Sequence, residues 1–501
     1  MESKGKGEQA SLVSSPNSKS TLCHPSKLAF KAYFLFFYAA VGSSFPYLML
    51  FFKQLGMSAA KAGILSGVKL FSEFIGGPFW GTVADKFRIR KIILFASLVS
   101  FSSGILLFMP FPPRNQECIE TRANGTVIKT PLSFTTGEIR YDKSHEDEEQ
   151  SVEDGGFLNH TGHSNFTRRI DETEISQIFT TFLVITISSQ IVGSVVFNMP
   201  DALVAGFLQE GISTFGYYRV WGEVGVAIGS FVVGGVINFY QSEVCGEIVK
   251  NYFVLFYFFS GFISLAMFTL IFLKATYPDE DTNDSNLWLL VKELMRFHNA
   301  MFVVVACFLG ILVGLNEFFG LWYLDDLGAE PYMLGLASGL RYTVATCGYT
   351  LSRIVIDKFG HTCTIAVCLL LYIVDYMSMS FVRNPWLGVA LFSAQGFLYG
   401  TSWSACVVFG GTVSLRVGFY SATQGVLGGV YWGLGVGTGV LLSGVLINWL
   451  GVAKTYFVYS VVTFIVLVPF SLANFWNRSK DERGNSDQEY NLLAKETEEN
   501  H

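Results

Sequence analysis

Residues 63–87, GILSGVKLFSEFIGGPFWGTVADKF, recur in altered form as residues 335–359, GLASGLRYTVATCGYTLSRIVIDKF. Both stretches begin with glycine, carry Ser-Gly three residues later and end with Asp-Lys-Phe. Lys69 of the first copy matches Arg341 of the second, and the register continues without a gap back to Val41 and Val313. A fixed offset over this distance is typical of an internal structural repeat. The chain is therefore predicted to consist of two halves that share one plan.

The composition predicts that both halves lie in a membrane. Of the 501 residues, 51% are hydrophobic and only 15% are charged, whereas a soluble domain carries about 25% charged residues. The formal net charge of -6 offers no basic surface, which argues against a nucleic-acid partner. The sequence contains no P-loop, no His-Glu-x-x-His and no Cys-x-x-Cys, so we expect no enzyme activity, no metal and no other cofactor.

Twelve apolar segments are long enough to cross a bilayer, which needs about 20 apolar residues per helix. We therefore predict an all-α membrane protein with twelve transmembrane helices in two pseudo-symmetric six-helix bundles, at 28–273 and 299–475. Parallel repeats of this kind place a substrate site between the halves, near the bilayer midplane. The predicted spans are 28–51, 60–84, 91–111, 177–206, 214–239, 251–274, 299–323, 332–356, 362–382, 386–408, 418–447 and 453–475.

Basic residues set the predicted orientation, because cytoplasmic loops are enriched in lysine and arginine. They cluster between spans 2 and 3 and between spans 6 and 7, so these loops are assigned to the cytoplasm. An even number of spans then places both tails, 1–27 and 476–501, there as well, and residues 274–298 form a cytoplasmic linker. We expect a monomeric multi-pass protein of the plasma membrane or of an endosomal membrane.

A long polar loop, residues 112–176, is predicted to lie on the opposite face of the membrane. It contains three Asn-x-Thr sequons, at Asn124, Asn159 and Asn165, which agree with an outside location and predict a glycoprotein. Cys118 in this loop and Cys245 in another outside loop are a candidate disulfide. The sequence leaves open whether they are bonded.

Three motifs carry a resemblance to a known family. Residues 81–91, GTVADKFRIRK, resemble the Gly-x-x-x-Asp-Arg/Lys-x-Gly-Arg-Arg/Lys signature of the major facilitator superfamily, with Arg88 and Ile89 in place of its Gly and Arg. Residues 215–225, FGYYRVWGEVG, resemble the start of span 5 in the branch that contains lactose permease and the nucleoside–proton symporters. The glycine-rich run 424–435 resembles span 11 of that branch. The resemblance implies the major facilitator fold and secondary transport.

The resemblance also implies roles for two residues. In lactose permease an arginine of span 5 and an acid of span 4 hold the sugar, and the matching residues are Arg219 and Asp201. Its sugar-stacking tryptophan matches Val226, and its proton-coupling histidine and glutamate match Gln395 and Leu398. Neither a sugar nor that proton route is therefore carried over to this chain.

The two copies of Asp-Lys-Phe contain the candidate gating residues. An aspartate at this position can pair with a basic residue or a helix end of the neighbouring bundle and hold the cytoplasmic side closed. The alternative is that the loop acts only as a positive-inside anchor. The gating candidates are Asp85, Lys86 and Arg90 in the first copy and Asp357 and Lys358 in the second.

Ionisable residues inside the predicted spans are costly unless they face a cavity or a partner. Hairpin geometry brings two acids to the same depth as two arginines, and a four-residue spacing pairs a lysine with a third acid. Such pairs can bind a polar substrate, or they can neutralise each other and fix helix packing. The candidate substrate-binding residues are Asp201, Arg219, Glu317, Arg341, Lys69, Glu73 and Asn198.

Two further acids are candidates for proton coupling. Glu223 lies in span 5, where the resembling branch has a small residue. Asp375 in span 9 has no obvious local partner, so a lone protonated acid, a pair with a distant base and a proton site all stay open. Burial raises and a basic neighbour lowers the pKa of such a carboxyl group, so an arriving substrate would change the balance.

The sequence therefore predicts a secondary active transporter that works by alternating access. The mixed charges favour a small polar or zwitterionic solute over a lipid, with membrane lipids around the protein and protons as the candidate coupling ion. The alternative is a cell-surface receptor or ligand-binding protein on a transporter scaffold, because long outside loops often carry function.

Overall fold

The computed structural model describes residues 25–111, 116–121, 127–135, 138–141, 165–208, 215–244, 247–273, 287–417 and 420–474. We call the helices before residue 274 the N half and those after residue 296 the C half. The helices of the N half are α1 (Pro25–Gln54), α2 (Ala59–Lys86), α3 (Arg90–Leu106), α4 (Glu172–Gly193), α5 (Asn198–Leu208), α6 (Phe215–Phe239) and α7 (Val254–Ile271).

A short helix, α8 (Leu287–Leu294), precedes the C half and lies within the predicted linker 274–298. One eight-residue segment of the C half, Gly429–Val436, is π-helical and joins two α-helices. The helices of the C half are α9 (Phe297–Asp326), α10 (Pro331–Phe381), α11 (Pro385–Val417), α12 (Tyr420–Gly428), α13 (Gly437–Leu450) and α14 (Val452–Asn474).

The helices follow the predicted spans, with one difference. Predicted spans 8 and 9 are two helices, labelled together as α10, that meet at a kink at Gly360, whose φ of 80° is a conformation that glycine adopts without strain. The predicted span 177–206 is divided into α4 and α5, and Pro200 lies in the first turn of α5, where its missing N–H costs least. Among the described helices, eight are long and apolar enough to cross a membrane. The count of twelve spans stays a prediction.

The segment 112–176, which was predicted to be a loop, contains β-strands that the sequence did not predict. They are β1 (Gln116–Thr121), β2 (Val127–Thr135), β3 (Glu138–Tyr141) and β4 (Asn165–Ile170). The strands form an antiparallel sheet in the order β3-β2-β1-β4. A hairpin of β5 (Gln241–Val244) and β6 (Glu247–Lys250) connects α6 to α7. The membrane part is helical as predicted, and a small sheet is added outside it.

The core of the N half is rich in phenylalanine. Helix α1 packs along α6 and α7, and α2 packs along α4. The rings of Phe45, Phe101 and Phe197 meet edge to face or tilted, with centroids 5.8 to 6.1 Å apart. Close packing of this kind stabilises helices in lipid, where apolar burial alone gives little.

The two halves meet along a seam at which α2 packs on α13, α6 on α10 and α1 on α9. The first two crossings need glycine. A Cβ atom at Gly63 would lie 3.2 Å from the Cα atom of Gly444, and one at Gly335 would lie 3.1 Å from that of Gly234. Gly63 and Gly335 are matching positions of the repeat, so the same small residue allows the same close approach twice.

Candidate functional site

The hairpin of α5 and α6 brings Asp201 and Arg219 together as the spacing predicted. The Oδ1 atom of Asp201 lies 3.5 Å from Nη1 of Arg219, and about a third of each side chain is exposed. Nη1 also donates a hydrogen bond to the hydroxyl of Tyr38 in α1. The guanidinium carbon lies 4.5 Å from the centroid of that ring. Tyr38 was not foreseen, because helix spacing gives the depth of a residue but not its neighbour on another helix.

The hairpin of α9 and α10 likewise pairs Glu317 with Arg341. Arg341 is 1% exposed, and its Nη1 donates to one carboxylate oxygen of Glu317. The Tyr342 hydroxyl donates to the other oxygen. The Nε atom of Arg341 donates to Oε1 of Gln395 in α11, at 3.0 Å. Side chains from α9 and α11 therefore both bind the guanidinium group of Arg341.

A buried polar network extends this pair through the C half. Asn316 donates from Nδ2 to Oε1 of Gln395 at 2.9 Å. The hydroxyl of Tyr456 in α14 donates to Oδ1 of Asn316, also at 2.9 Å. The network thus connects α9, α10, α11 and α14. Such networks restrict the arrangement of helices in proportion to how many of their members are satisfied, and here Nη2 of Arg341 and Nε2 of Gln395 are buried without a hydrogen-bond partner in the described chain.

The third predicted pair lies in α2, inside the N half. The Nζ atom of Lys69 is 3.6 Å from Oε1 of Glu73, which is an ion pair but too long for a hydrogen bond. Aromatic rings surround the amine, with centroids of Phe45, Phe101 and Phe197 at 3.5, 5.4 and 5.3 Å. Aromatic faces attract a cation electrostatically.

A cavity of about 40 Å³ lies beside Lys69, between α1, α2, α3 and α4. Its lining includes Phe45, Gln190 and, from the C half, Phe318. The Oε1 atom of Gln190 is buried and has no hydrogen-bond partner in the described chain. The lysine therefore borders a small space whose lining is mainly apolar and includes five phenylalanines.

Glu223 faces the seam one helical turn beyond Arg219. It lies within electrostatic range of Arg219 in its own helix and of Glu317 and Arg341 in the other half. It is half-buried and forms no ion pair with another described residue. The Asp201–Arg219 and Glu317–Arg341 pairs therefore lie on opposite sides of one region, with Glu223 between them.

The structure places the remaining binding and proton candidates apart from these pairs. Asp375 is 8% exposed, and its Oδ2 atom has no hydrogen-bond partner among the described residues, although Arg341 is a charged neighbour. Asn198 begins α5 and is exposed. Its Nδ2 atom lies beside α2, 3.6 Å from the position that a Cβ atom of Gly77 would take.

The predicted gating residues lie at the end of α2, at the start of α3 and just before the kink of α10 at Gly360. Asp357 pairs with Arg353 of its own helix at 3.9 Å, and both side chains are largely exposed. Lys86 is exposed, Arg90 begins α3, and Lys358 lies 5.5 Å from the ring centroid of Phe359. Asp85 lies in the last turn of α2, and its side chain is outside the description. Their gating role stays a prediction.

The opposite end of the helices contains an ionic cluster that the sequence reading missed. Lys53 at the end of α1 lies 2.5 Å from Oδ2 of Asp325 and 2.6 Å from Oδ1 of Asp326 at the end of α9. Lys250, at the end of β6, lies 2.5 Å from Oδ1 of Asp325. We call these four residues the Lys53 cluster. A signal was present, because Lys53 and Asp325 are matching positions of the repeat.

The candidate glycosylation and disulfide residues lie largely beyond the described chain. Asn124, Asn159 and Cys245 are outside it. Asn165 begins β4 and Cys118 lies in β1, on a sheet apart from the helices. Glycosylation and the disulfide stay predictions.

Two pseudo-symmetric helical halves with charged side chains along their seam define a multi-pass membrane protein of the major facilitator fold. The family model described as the MFS_1 like family matches residues 27–458, and the chain belongs to this family. The sequence resemblance to the major facilitator superfamily is thereby confirmed.

Two similar proteins are also named as major facilitator superfamily proteins. The major facilitator superfamily domain-containing protein 6-like of Danio rerio is 20% identical over 400 residues, which are 72% of each chain. The Mus musculus protein of the same name is 32% identical over 81 residues, 16% of this chain and 14% of its own length. The long loop after the third span also makes the sequence resemble major facilitator superfamily domain-containing protein 6.

Solved structures share the fold at low identity. The nucleoside transporter NupG superposes with a TM-score of 0.61 at 14% identity, over 89% of this chain and 98% of that chain. A D-xylose-proton symporter gives 0.57 at 15% identity, over 89% and 96%. Both confirm the architecture of two helical bundles.

Proposed function

We propose that this protein is a secondary active transporter that moves a small polar or zwitterionic solute by alternating access between its two halves. The family and the fold support transport. The observation that carries the mechanism is made at one end of the seam, where ion pairs and close helix contacts join the two halves.

The closed end is the one that contains the Lys53 cluster. There, Lys53 and Lys250 of the N half hold Asp325 of the C half. The close approaches at Gly63 and Gly335 lie on the same side. A solute in the seam would have to break these contacts to leave in this direction.

We infer that the other end of the seam, near Lys86, is the end that opens. There, Gly81 of α2 and Gly425 of α12 make no close approach in the described chain like those at Gly63 and Gly335. The basic residues around Lys86 and Arg90 assign this end to the cytoplasm. We infer that the end with the Lys53 cluster faces the outside and is closed, and that the end near Lys86 opens to the cytoplasm.

The seam offers the solute both signs of charge. The guanidinium of Arg219 is partly exposed and can bind a carboxylate or phosphate, while Glu223 can bind a cationic group. We assign proton coupling to Glu223 and Asp375, because both are acids in low-polarity surroundings without an ion-pair partner among the described residues. Solute and proton would act on the same charge balance.

Cross-linking tests alternating access directly. The double variant Lys53→Cys/Asp325→Cys, treated with a short thiol cross-linker, should lose uptake in proteoliposomes and recover it when a cleavable linker is reduced. Each single cysteine variant is the control for the loss of the ion pair itself. Uptake that persists after complete cross-linking would contradict the proposed motion.

Proton coupling has its own measurement. Uptake from a solute mixture is followed with and without an imposed pH gradient, together with proton flux. We expect Asp201→Asn and Glu317→Gln, as well as Glu223→Gln, to alter the solute-linked proton flux. Unchanged flux in all three variants would remove the coupling from the proposal and leave transport standing.

A second candidate function is a cell-surface receptor or ligand-binding protein, and the four-stranded sheet between α3 and α4 favours it. An ordered sheet outside the membrane can present a docking surface independently of the seam. Replacing residues 112–170 with a short linker should abolish partner binding and leave uptake intact if the two roles are separate. Loss of both, at normal surface expression, would argue against separate roles.

We also propose that the tails are cytoplasmic and that the sheet faces the outside. Terminal epitope tags should be detected only in permeabilised cells, and a glycosidase should reduce the apparent mass. A tag detected on intact cells would reverse the assigned orientation. Microscopy of the tagged protein decides between the plasma membrane and an endosomal membrane.

A further inference from the structure

We propose that the seam binds an organic cation, a small amine or quaternary ammonium group, between the Glu223 carboxylate and an aromatic wall of the C half. The wall consists of Tyr349, Tyr399 and Trp432. This inference rests on the proposed function, because it names the chemical class of the solute for the same seam.

The first argument is the charge balance of the seam. Two arginines and three acids lie there, and each arginine already holds one acid of its own half. Arg219 pairs with Asp201, and Arg341 pairs with Glu317. Glu223 is the remaining acid, and it has no ion pair with any described residue. With all five groups ionised, one negative charge is unmatched, and a bound cation would balance it.

The second argument is the position of Glu223 relative to the wall. Tyr349 and Tyr399 both lie within electrostatic range of its carboxylate, although they belong to the other half. The rings of Tyr349 and Tyr399 meet edge to face with centroids 6.0 Å apart. Tyr399 meets Trp432 in the same way at 5.8 Å. The two tyrosines and the tryptophan thus form one continuous aromatic cluster in the C half, with its two tyrosines in electrostatic range of the carboxylate.

The third argument is the backbone that presents the tryptophan. Trp432 lies within the π-helical segment Gly429–Val436, and such segments occur frequently at functional sites. Its ring also meets Trp403 of α11 at 6.3 Å. Both indoles are half-buried, so part of each ring is free to contact another molecule.

A carboxylate opposite aromatic faces selects for a cation by two additive effects. The ring faces attract a desolvated ammonium group by about 2 kcal/mol, and quaternary ammonium ligands are commonly bound in this way. The carboxylate supplies the opposite charge without requiring a hydrogen-bond donor on the ligand. A neutral group of the same shape would gain the apolar contact but neither electrostatic effect.

Four small probes separate charge from shape. Choline carries a trimethylammonium group, and 3,3-dimethyl-1-butanol is its uncharged copy with carbon in place of nitrogen. Betaine and 3,3-dimethylbutanoate form the same pair with a carboxylate added. Binding of each to the purified full-length protein is measured by thermal stabilisation at constant ionic strength, and choline binding is also measured with radiolabel.

We expect choline and betaine to bind and both carbon copies to bind at least about tenfold more weakly, which corresponds to roughly 1.4 kcal/mol. Glu223→Gln should weaken choline binding by about tenfold or more, and Trp432→Leu should weaken it to a smaller extent. Glu330→Gln, which removes an exposed acid at the start of α10, is the matched control and should bind normally.

Three results would overturn the inference. They are equal binding of choline and its carbon copy, unchanged choline binding in Glu223→Gln, and no choline binding by either method. Binding of the two carboxylates alone would show that the arginines select the solute instead. None of these results bears on whether the halves alternate, which the cross-linking of Lys53→Cys/Asp325→Cys decides separately.

Discussion

Lys69 and Arg341 occupy matching positions of the repeat, yet their surroundings differ. The amine of Lys69 lies 3.5 Å from the ring centroid of Phe45, and its carboxylate partner is 3.6 Å away. Arg341 instead donates to Glu317 and to Gln395. Phe45 and Glu317 are themselves matching positions, so the N half has an aromatic ring where the C half has an acid.

The two halves share one helix arrangement but differ in how rigidly they hold the buried cation. The C half fixes its cation in a hydrogen-bonded network through four helices, which permits few alternative geometries. The N half holds its cation mainly by ring faces beside a small cavity, and such contacts tolerate displacement. We infer that the C half is the rigid part of the seam and that the N half adjusts during transport.

The largest effect is expected from removing the charge of Arg341. Arg341→Met leaves Glu317 and Gln395 buried without their partner, which should destabilise the protein by about 3–5 kcal/mol. Lys69→Met should cost less, about 1–2 kcal/mol, because its ion pair with Glu73 is 3.6 Å long and includes no hydrogen bond. The measurement is thermal unfolding in detergent micelles. Equal losses in the two variants would contradict the contrast between the halves.

Double-mutant cycles should show a smaller and more specific difference. The coupling between Arg341→Met and Glu317→Gln should reach about 2–3 kcal/mol, since both atoms of the pair are desolvated. The coupling between Lys69→Met and Phe45→Leu should be about 0.5–2 kcal/mol, the range of cation–π contacts. Equal coupling energies in the two cycles would show that an aromatic ring and a carboxylate stabilise the buried cation equally well.

Much of the architecture was accessible from the sequence. The repeat and the length of the apolar segments predicted two helical halves, and arithmetic on the hairpins predicted that Asp201 meets Arg219 and that Glu317 meets Arg341. These predictions succeed because rise per residue fixes depth in a membrane. They require no knowledge of how the helices are rotated.

The parts that the sequence did not predict depend on rotation about the helix axes and on contacts between halves. Tyr38 and Gln395 reach their arginines from other helices, and no local spacing signals this. Lys53 and Asp325 meet because a pseudo-two-fold axis brings matching positions face to face, with opposite charges. The strands near residue 116 lie in a polar segment whose composition resembles a loop.

The Lys53 cluster provides a comparison of matching positions across the seam. Asp325→Asn leaves Lys53 and Lys250 close together without their shared acid, so the closed end should open more often. We expect about a tenfold population shift, corresponding to about 1.4 kcal/mol. The shift is measured as faster labelling of the cysteine variant Ser338→Cys by an impermeant maleimide added from outside.

Glu330→Gln is the control for this labelling experiment, because it removes an exposed acid in the same region without touching the cluster. Faster labelling in the control as well would indicate a general loosening. Unchanged labelling in Asp325→Asn would show that the glycine contacts at Gly63 and Gly335 hold this end closed without the ions.

The smallest effect on stability is expected at the two copies of Asp-Lys-Phe. Asp357 pairs with Arg353 at 3.9 Å with both side chains largely exposed, and exposed pairs contribute about 0–1 kcal/mol. Asp357→Asn should therefore leave unfolding and uptake nearly unchanged. Asp85→Asn should also leave unfolding unchanged but should slow uptake, if Asp85 closes the cytoplasmic end against the C half in the opposite state. Equal uptake rates in the two variants would show that the loop is only a positive-inside anchor, and equal slowing would give both halves the same gate.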